Sequence, residues 1–191
     1  MANNVWRFPE RIAIVGTTGS GKTTLAGQLA EYLQMPHIEL DALYWEPNWK
    51  TASEPLFRER VAAALGGNRW VSDGNYSLVR DLVWSRADTV VFLDYPFGLT
   101  LGRLLQRTWR RSIDRQELWQ GNRETLRKSF LSRHSILLWM LQTYRRNRQK
   151  YPRLFAKSEY AHLSIVHLRS LQMTEEWVKN IQIQTQTPPD R

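Results

Sequence analysis

The chain has 191 residues, of which 42% are hydrophobic and nine are Trp, so it can form one folded domain and is not a disordered protein. It has no Cys, which excludes a disulfide framework and Cys-ligated zinc. Its net charge is +9, but residues 103–157 hold 15 Lys or Arg against three acids, and this asymmetry indicates a local site for a polyanion.

Short apolar runs alternate with helical patterns along the chain. The predicted order is strand 11–15, helix 22–33, strand 37–41, helix 54–65, strand 69–73, strand 89–94, strand 162–168 and helix 174–183. Strands that alternate with helices imply parallel βαβ units. The predicted fold is therefore a three-layer α/β domain, residues 1–191, with a doubly wound, parallel five-stranded sheet.

One segment departs from this alternation. Residues 98–157 show helical patterns without a clear strand, and they are too many for a single crossover helix. They predict a helical insertion between the fourth and fifth strands. An apolar stripe along it comprises Leu126, Phe130, His134, Leu137, Leu141 and Tyr144, and it continues through Arg148 and Tyr151.

The turn after the first strand is GTTGSGKT, residues 16–23, which matches the pattern G-x-x-x-x-G-K-[ST]. Its glycines let successive backbone N–H groups surround a phosphate, and the following helix directs its positive dipole end at the same anion. Lys22 is placed to reach the β- and γ-phosphates, and the hydroxyl of Thr23 to ligate Mg²⁺. We therefore expect ATP and Mg²⁺ as cofactors, with ATP bound by Gly16, Thr17, Thr18, Gly19, Ser20, Gly21, Lys22, Thr23 and Thr24.

The acids that end the predicted strands are Asp41, Asp73 and Asp94, and none of them is followed by a second acid. ATPase motors usually carry such a Glu next to the Mg²⁺-linked Asp. This difference, together with the short chain, favours a small kinase over a motor.

The chain resembles the adenylate kinase-like nucleoside monophosphate kinases over most of residues 11–180. The pair Asp73-Gly74 stands where those kinases hold Mg²⁺ through an Asp, so the resemblance implies a metal role for Asp73. The segment LDYPFGLTLGRLLQR is similar to their fourth-strand segment. It implies that Arg103 and Arg107 pack on the adenine and reach the phosphates.

The stretches HIELDALYW, DGNYS, WQGNRETL and RRNRQKYP are similar to a bacterial branch known as topology-modulation or adenylate kinase-related proteins. The chain also departs from the adenylate kinases. Ser77 stands where they have an acceptor-binding Arg, and the helical insertion replaces their β-ribbon or zinc lid. These departures concern the acceptor, AMP in particular, and leave the donor site unaffected.

The stretch QTYRRNRQKYPR, residues 142–153, has three interpretations: part of a mobile lid, a nucleic-acid patch, or a solvated helix face. We prefer the lid, because kinases of this shape bring arginines to the transferring phosphate from such an insertion. Helical geometry keeps Arg148 on the apolar stripe and Arg145 at its edge, while Arg146 and Lys150 face the other way. Arg145 is therefore predicted to be catalytic and Arg148 to bind the nucleotide. On the preceding helix, Arg103, Arg107 and Arg110 share one face.

The acceptor is expected to bind at about residues 41–69. Asp41 ends the second strand, at the edge where ligands enter doubly wound sheets, and is a candidate base, orienting group or cap of the next turn. Three aromatic residues, Tyr44, Trp45 and Trp49, either stack on a base or sugar or belong to the core. Arg58 and Arg60 are candidates for an acceptor phosphate but fit a solvated helix face better.

We therefore expect a Mg²⁺- and ATP-dependent phosphotransferase, in the first place a nucleoside monophosphate kinase of the adenylate type. The first alternative is a kinase for a hydroxyl of a nucleoside, sugar or other small molecule, with Asp41 as the base; the second is a nucleic-acid-binding NTPase. The start of the chain lacks a signal-peptide pattern, and no apolar run approaches a membrane span. We expect a soluble, cytoplasmic monomer or homodimer with a small-molecule acceptor.

Overall fold

The computed structural model describes residues 9–114, 117–122 and 136–186. Five parallel strands form one sheet in the order β2-β5-β1-β6-β7, and two short antiparallel strands, β3 and β4, form a hairpin. The strands are β1 Arg11–Gly16, β2 His37–Glu39, β3 Trp45–Glu46, β4 Lys50–Thr51, β5 Trp70–Asp73, β6 Thr89–Leu93 and β7 Ser164–Leu168. The predicted parallel five-stranded α/β fold is confirmed.

Helices cover both faces of the sheet. The described α-helices are α1 Lys22–Leu33, α2 Leu40–Tyr44, α3 Glu54–Ala64, α4 Arg80–Arg86, α5 Phe97–Ile113, α6 Ile136–Phe155 and α7 Leu171–Gln186. None of them is long and apolar enough to cross a membrane.

The buried strand residues alternate between two cores, one on each side of the sheet. Along β1, Ala13 and Val15 face a core formed with α3 and α4, while Ile12 and Ile14 face a core formed with α1 and α7. Since side chains in a strand point alternately to opposite faces, a strand buried on both sides reads as a continuous apolar run. This explains why the apolar runs predicted the central strands well.

The sheet order places the ends of β1, β5 and β2 side by side. β1 pairs with β5 on one side and with β6 on the other, and β2 lies outside β5. All of these strands run in the same direction, so the turns at their carboxyl ends open onto one edge of the sheet. In open α/β sheets this edge is where ligands bind.

The second strand is shorter than predicted. It ends at Glu39, and Asp41 lies in the first turn of the short helix α2 rather than in a strand. Residues 45–51, which the sequence predicted only as a turn-rich aromatic stretch, form the β3–β4 hairpin.

The predicted insertion contains helices α5 and α6. The buried face of α6 comprises Met140, Thr143, Tyr144, Asn147 and Tyr151, so the predicted apolar stripe is wrong at Leu141, which is 54% exposed. The predicted stripe members at positions 126, 130 and 134 lie outside the described residues, as does the side chain of the residue at 137.

Candidate active site

The loop between β1 and α1 has the backbone shape that a phosphate loop needs. Gly19 and Gly21 adopt positive φ angles of +83° and +91°, a region that residues with a Cβ rarely enter. A Cβ on Gly16 would lie 2.7 Å from the carbonyl oxygen of Leu93, so only glycine fits between the neighbouring strands there. These positions explain the glycine spacing of the motif in steric terms.

Lys22 opens α1, and its ammonium group turns back over the loop. Its Nζ donates hydrogen bonds to the carbonyl oxygens of Gly16 at 3.1 Å and Thr17 at 3.3 Å. Burial lowers the pKa of Lys22, while the nearby carboxylates of Asp73 and Asp41 act in the opposite direction. The ammonium is therefore positioned at the loop, beside two carboxylates and without a direct ion pair to either.

The next residue, Thr23, meets the acid at the end of β5. The Thr23 hydroxyl donates a 2.7 Å hydrogen bond to Asp73 Oδ2, and His37 Nε2 lies 2.8 Å from Asp73 Oδ1. Among the described residues, no group of three or more His, Asp or Glu could hold a metal ion. A hydroxyl and one carboxylate suit Mg²⁺, which retains water and substrate phosphates and takes few protein ligands.

Arginines of α5 lie above the loop. Arg103 Nη1 is 3.4 Å from the carbonyl oxygen of Ser20, and its guanidinium lies 5.8 Å from the ring centre of Tyr95. Arg107 and Arg111 also line the cleft, one and two turns further on, whereas Arg110 is exposed. The predicted basic face is therefore correct for Arg103 and Arg107 but continues through Arg111, which sequence reasoning missed.

Asp41, in the first turn of α2, also lines the cleft. Its carboxylate accepts a short hydrogen bond from the hydroxyl of Tyr76. Burial raises the pKa of Asp41, although the Tyr76 hydrogen bond and the charges of Lys22 and Arg107 oppose the shift. A carboxyl group with a raised pKa, held in a cleft near Lys22, has the character of a general base or an orienting group.

Aromatic residues extend the cleft beyond Asp41. Tyr44, Trp45, Trp49 and Trp119 line it, and the rings of Trp45 and Trp49 meet edge to face at 5.4 Å. Tyr44 also packs on Phe57 and so belongs partly to the core. The core alternative therefore applies in part to Tyr44, and stacking of Trp45 and Trp49 on a base or sugar stays a prediction.

The arginines considered for an acceptor phosphate are engaged elsewhere. Arg58 forms hydrogen bonds of 2.9 and 2.6 Å with the Asp81 carboxylate, and Arg60 pairs with Glu46 and the carbonyl of Leu43. Neither lines the cleft.

The basic stretch of α6 does not divide as its helical spacing predicted, because Arg145 is exposed while Lys150, predicted to face away, is partly buried. Arg148 remains half-exposed, but its Nε lies 2.8 Å from the buried Asp94 at the end of β6, and its Nη1 donates to the Tyr144 hydroxyl at 3.0 Å. Arg145 is exposed and does not line the cleft. Their roles in phosphoryl transfer stay predictions.

The cleft that joins these groups has a volume of about 1220 Å³. It runs from the phosphate loop past Lys22, Asp73 and Asp41 to the aromatic side chains, and its size is ample for a nucleotide together with a small second substrate. It thus brings the predicted donor-site residues Lys22 and Thr23 together with the predicted acceptor residue Asp41.

No family model matches the chain. The chain is 30% identical over 118 residues to the shikimate kinase of Halorhodospira halophila, and the match spans 51% of this chain and 64% of that protein. The chain thus covers less than two thirds of that relative.

Solved structures with similar folds cover nearly the whole chain. A gluconokinase from Sinorhizobium meliloti has a TM-score of 0.53 at 20% identity, covering 93% of this chain and 91% of its own. The shikimate kinase from Acinetobacter baumannii, in complex with shikimate, has a TM-score of 0.52 at 18% identity, covering 92% of both chains. The shikimate kinase from Aquifex aeolicus has a TM-score of 0.51 at 19% identity, covering 92% and 96%.

These similarities define the fold as that of the phosphate-loop kinases. The predicted kinase fold is confirmed, and the proteins matched above are shikimate kinases and a gluconokinase rather than adenylate kinases. The resemblance to the phosphate-loop kinases is therefore supported at the level of the fold.

Proposed function

We propose that the chain is a Mg²⁺- and ATP-dependent kinase that transfers a phosphoryl group to a hydroxyl of a small molecule. The observation that carries this proposal is Asp41, a carboxyl group with a raised pKa in the cleft, near the ammonium of Lys22. A hydroxyl must lose a proton as it attacks phosphorus, and a carboxylate is a suitable acceptor for that proton. A phosphate acceptor needs no base.

The donor half of the reaction follows from the loop. Backbone N–H groups of the loop and the start of α1 bind the phosphates, and Lys22 exchanges its two carbonyl partners for phosphate oxygens. Arg103 and Arg107 add positive charge where negative charge develops during transfer. Mg²⁺, held by Thr23 and Asp73, would neutralise charge on the phosphates when bound.

The acceptor half depends on Asp41 and Tyr76. The Tyr76 hydroxyl donates to one carboxylate oxygen, which orients the group and leaves the other oxygen for the acceptor hydroxyl. The hydroxyl oxygen forms a bond to the γ-phosphorus, the bond from that phosphorus to the bridging oxygen breaks, and ADP leaves. The hydroxyl proton passes to Asp41, which stands ready because its folded environment raises its proton affinity.

The relatives support the same choice. They are named shikimate kinase and gluconokinase, which are names of kinases for small molecules. Arg58 and Arg60 are committed to Asp81 and Glu46, and Ser77 replaces the Arg that the adenylate kinases use for their acceptor.

A nucleoside monophosphate kinase is the second candidate. Arg107 and Arg111 favour it, because they add two cations to the cleft beyond Lys22 and Arg103. An acceptor screen that follows ADP release with purified protein, ATP and Mg²⁺ separates the two candidates. Hydroxyl compounds should stimulate ADP release more than nucleoside monophosphates; stimulation by monophosphates alone, or by DNA or RNA alone, contradicts the proposal.

A further inference from the structure

Three tryptophans, Trp45, Trp49 and Trp119, form one wall of the cleft. Trp49 has a φ angle of +58°, in the left-handed region that a bulky residue rarely occupies. Such backbone strain persists only where the surroundings enforce it, and it is concentrated at functional sites. Here the surroundings hold an indole at the cleft.

Asn122, in the insertion, holds the Trp49 backbone directly, and Trp119 is held by a separate contact. Asn122 is 4% exposed; its Oδ1 accepts the Trp49 N–H at 2.8 Å, and its Nδ2 donates to the Glu46 carbonyl at 2.9 Å. The indole N–H of Trp119 donates to Glu39 at 2.9 Å. These bonds fix segment 117–122 on the β3–β4 hairpin and orient the Trp119 ring.

The wall carries no positive charge. Of the described residues that line the cleft from segments 41–51, 74–78 and 117–122, none is Lys or Arg. Indole faces bind flat apolar surfaces, such as those of bases and sugar rings, and do not attract anions. Asp41 bonds to Tyr76, whose ring lies 4.6 Å from that of Tyr44, and the Tyr44 ring lies 5.2 Å from that of Trp45, so a ring resting on the wall would have its hydroxyls near the proposed base.

We infer that the acceptor is an uncharged cyclic hydroxyl compound, a pyranose or a nucleoside, whose ring stacks on Trp49 and Trp119 while one hydroxyl meets Asp41. This inference rests on the proposed kinase function. It adds two requirements to that function: the acceptor contains a ring, and it carries no charge.

The test compares matched acceptors. Glucose and sorbitol carry similar hydroxyls on a ring and on an open chain; adenosine and uridine represent nucleosides, and gluconate and shikimate represent anions. ADP release measures turnover, and calorimetric titration measures acceptor binding without ATP. We expect turnover and binding to be greater with glucose or with a nucleoside than with sorbitol or the anions. Equal or better turnover with sorbitol or gluconate, which are open-chain, overturns the ring requirement. Equal or better turnover with shikimate, a cyclic anion, overturns the requirement for an uncharged acceptor. In both cases the kinase proposal stands.

Variants test the wall itself. Trp49→Gly accepts the positive φ, so the protein should stay folded while the KM for the cyclic acceptor rises about 5- to 150-fold, the range found when an aromatic stacking partner is removed. The KM for ATP should change little. Trp109→Ala is the matched control, since Trp109 lies on α5, is 58% exposed and does not line the cleft.

The outcomes distinguish the two proposals. Calorimetric binding of a ring compound that Trp49→Gly abolishes, without any ADP release, supports the ring site and contradicts the kinase. An unchanged KM in Trp49→Gly and in Trp119→Ala overturns the ring site. Trp49→Asn, which also tolerates the left-handed region, serves as a second variant if the glycine variant does not fold.

A second inference rests on different contacts, at the start of the phosphate loop. Asn75 binds both polar backbone atoms of Gly16: its Oδ1 accepts the Gly16 N–H at 3.1 Å, and its Nδ2 donates to the Gly16 carbonyl. The Tyr151 hydroxyl donates to the same Oδ1 at 2.9 Å. Tyr151 belongs to α6 and is 2% exposed, so this contact joins the insertion to the loop.

The Gly16 carbonyl is shared with Lys22, which donates to it at 3.1 Å. When Lys22 turns to a phosphate, that carbonyl loses one donor, and Asn75 keeps it hydrogen-bonded. We propose that Asn75 and Tyr151 are positioning residues that hold the loop while Lys22 changes partners. A carbonyl left without a donor would oppose this movement.

The readout is the KM for ATP. Asn75→Ala should raise it roughly tenfold and Tyr151→Phe by a smaller factor, with the acceptor KM unchanged, since each variant removes hydrogen bonds that hold the donor loop. Tyr160→Phe is the matched control, because Tyr160 packs edge-on against Trp84 away from the loop. Lower resistance to urea with an unchanged KM for ATP in both variants would reduce these residues to a structural role and overturn the proposal.

Discussion

The substitution Asp41→Asn tests the proposed chemistry most directly. Asn keeps an oxygen that can accept the Tyr76 hydrogen bond, and it has nearly the same shape, so the cleft should be preserved. It cannot take up a proton at neutral pH. We expect kcat for a hydroxyl acceptor to fall about 10²- to 10⁴-fold, the usual contribution of a general base, or about 3–5 kcal/mol of transition-state stabilisation. The KM for the acceptor should change little.

The pH dependence gives a second measurement. Because burial raises the pKa of Asp41 above its ordinary value of 3.8, wild-type kcat/KM should fall as the pH drops through that raised pKa. The Asn variant should lack this acid limb. Continuous ADP-release assays across the pH range, with the fold monitored by circular dichroism, provide both profiles.

The Asp41→Asn substitution should lower activity without lowering the free energy of unfolding. The pKa of Asp41 is higher in the folded protein than in the unfolded chain. Its contribution to the free energy of unfolding is therefore fully present below the unfolded pKa and is lost as the pH rises through the folded pKa. At neutral pH the Asn variant should therefore be at least as resistant to urea as the wild type. A variant that is less stable and has an unchanged kcat, or one that raises only the KM for a monophosphate acceptor, would refute Asp41 as the base.

The remaining predictions concern the donor site, the insertion and β2. Lys22→Ala should leave the fold intact and lower turnover on the order of 10²-fold or more; near-normal turnover would contradict the donor-site assignment. Arg148→Ala should lower turnover and urea resistance more than Arg146→Ala, because only Arg148 pairs with a buried acid, and equal losses of DNA or RNA binding in both would favour a nucleic-acid patch. The hydrogen bond to Asp73 raises the pKa of His37 above 6.5, so the stability it provides is present at pH 6 and is lost as the pH rises through that raised value. Urea titrations at pH 6 and pH 8 should show a larger drop for the wild type than for His37→Gln, and equal drops would contradict this.

The phosphate loop could be predicted from the sequence because all of its parts are contiguous. Its glycines, Lys22 and Thr23 take their positions from local backbone geometry and from the start of α1, which eight consecutive residues specify. The central strands β1 and β6 were equally predictable, since burial on both faces leaves a nearly continuous apolar run in each. Helical spacing also placed Arg103 and Arg107 on one face.

Tertiary packing decided the rest. Rotation of α5 about its axis, set by the burial of Thr100, Leu104 and Thr108, brings Arg111 rather than Arg110 to the cleft. The spacing of charges along a helix does not specify that rotation to within one residue.

The acceptor side depends on contacts between residues far apart in the chain. Trp119 meets Glu39 across 80 positions, and Asn75 meets Gly16 across 59. Hydrogen bonds of this kind leave no periodic or local pattern, because the partners are adjacent only after the sheet has formed. The sequence by itself thus determined the donor loop and the layers of the fold, while the tertiary structure alone decided which side chains form the tryptophan wall of the cleft.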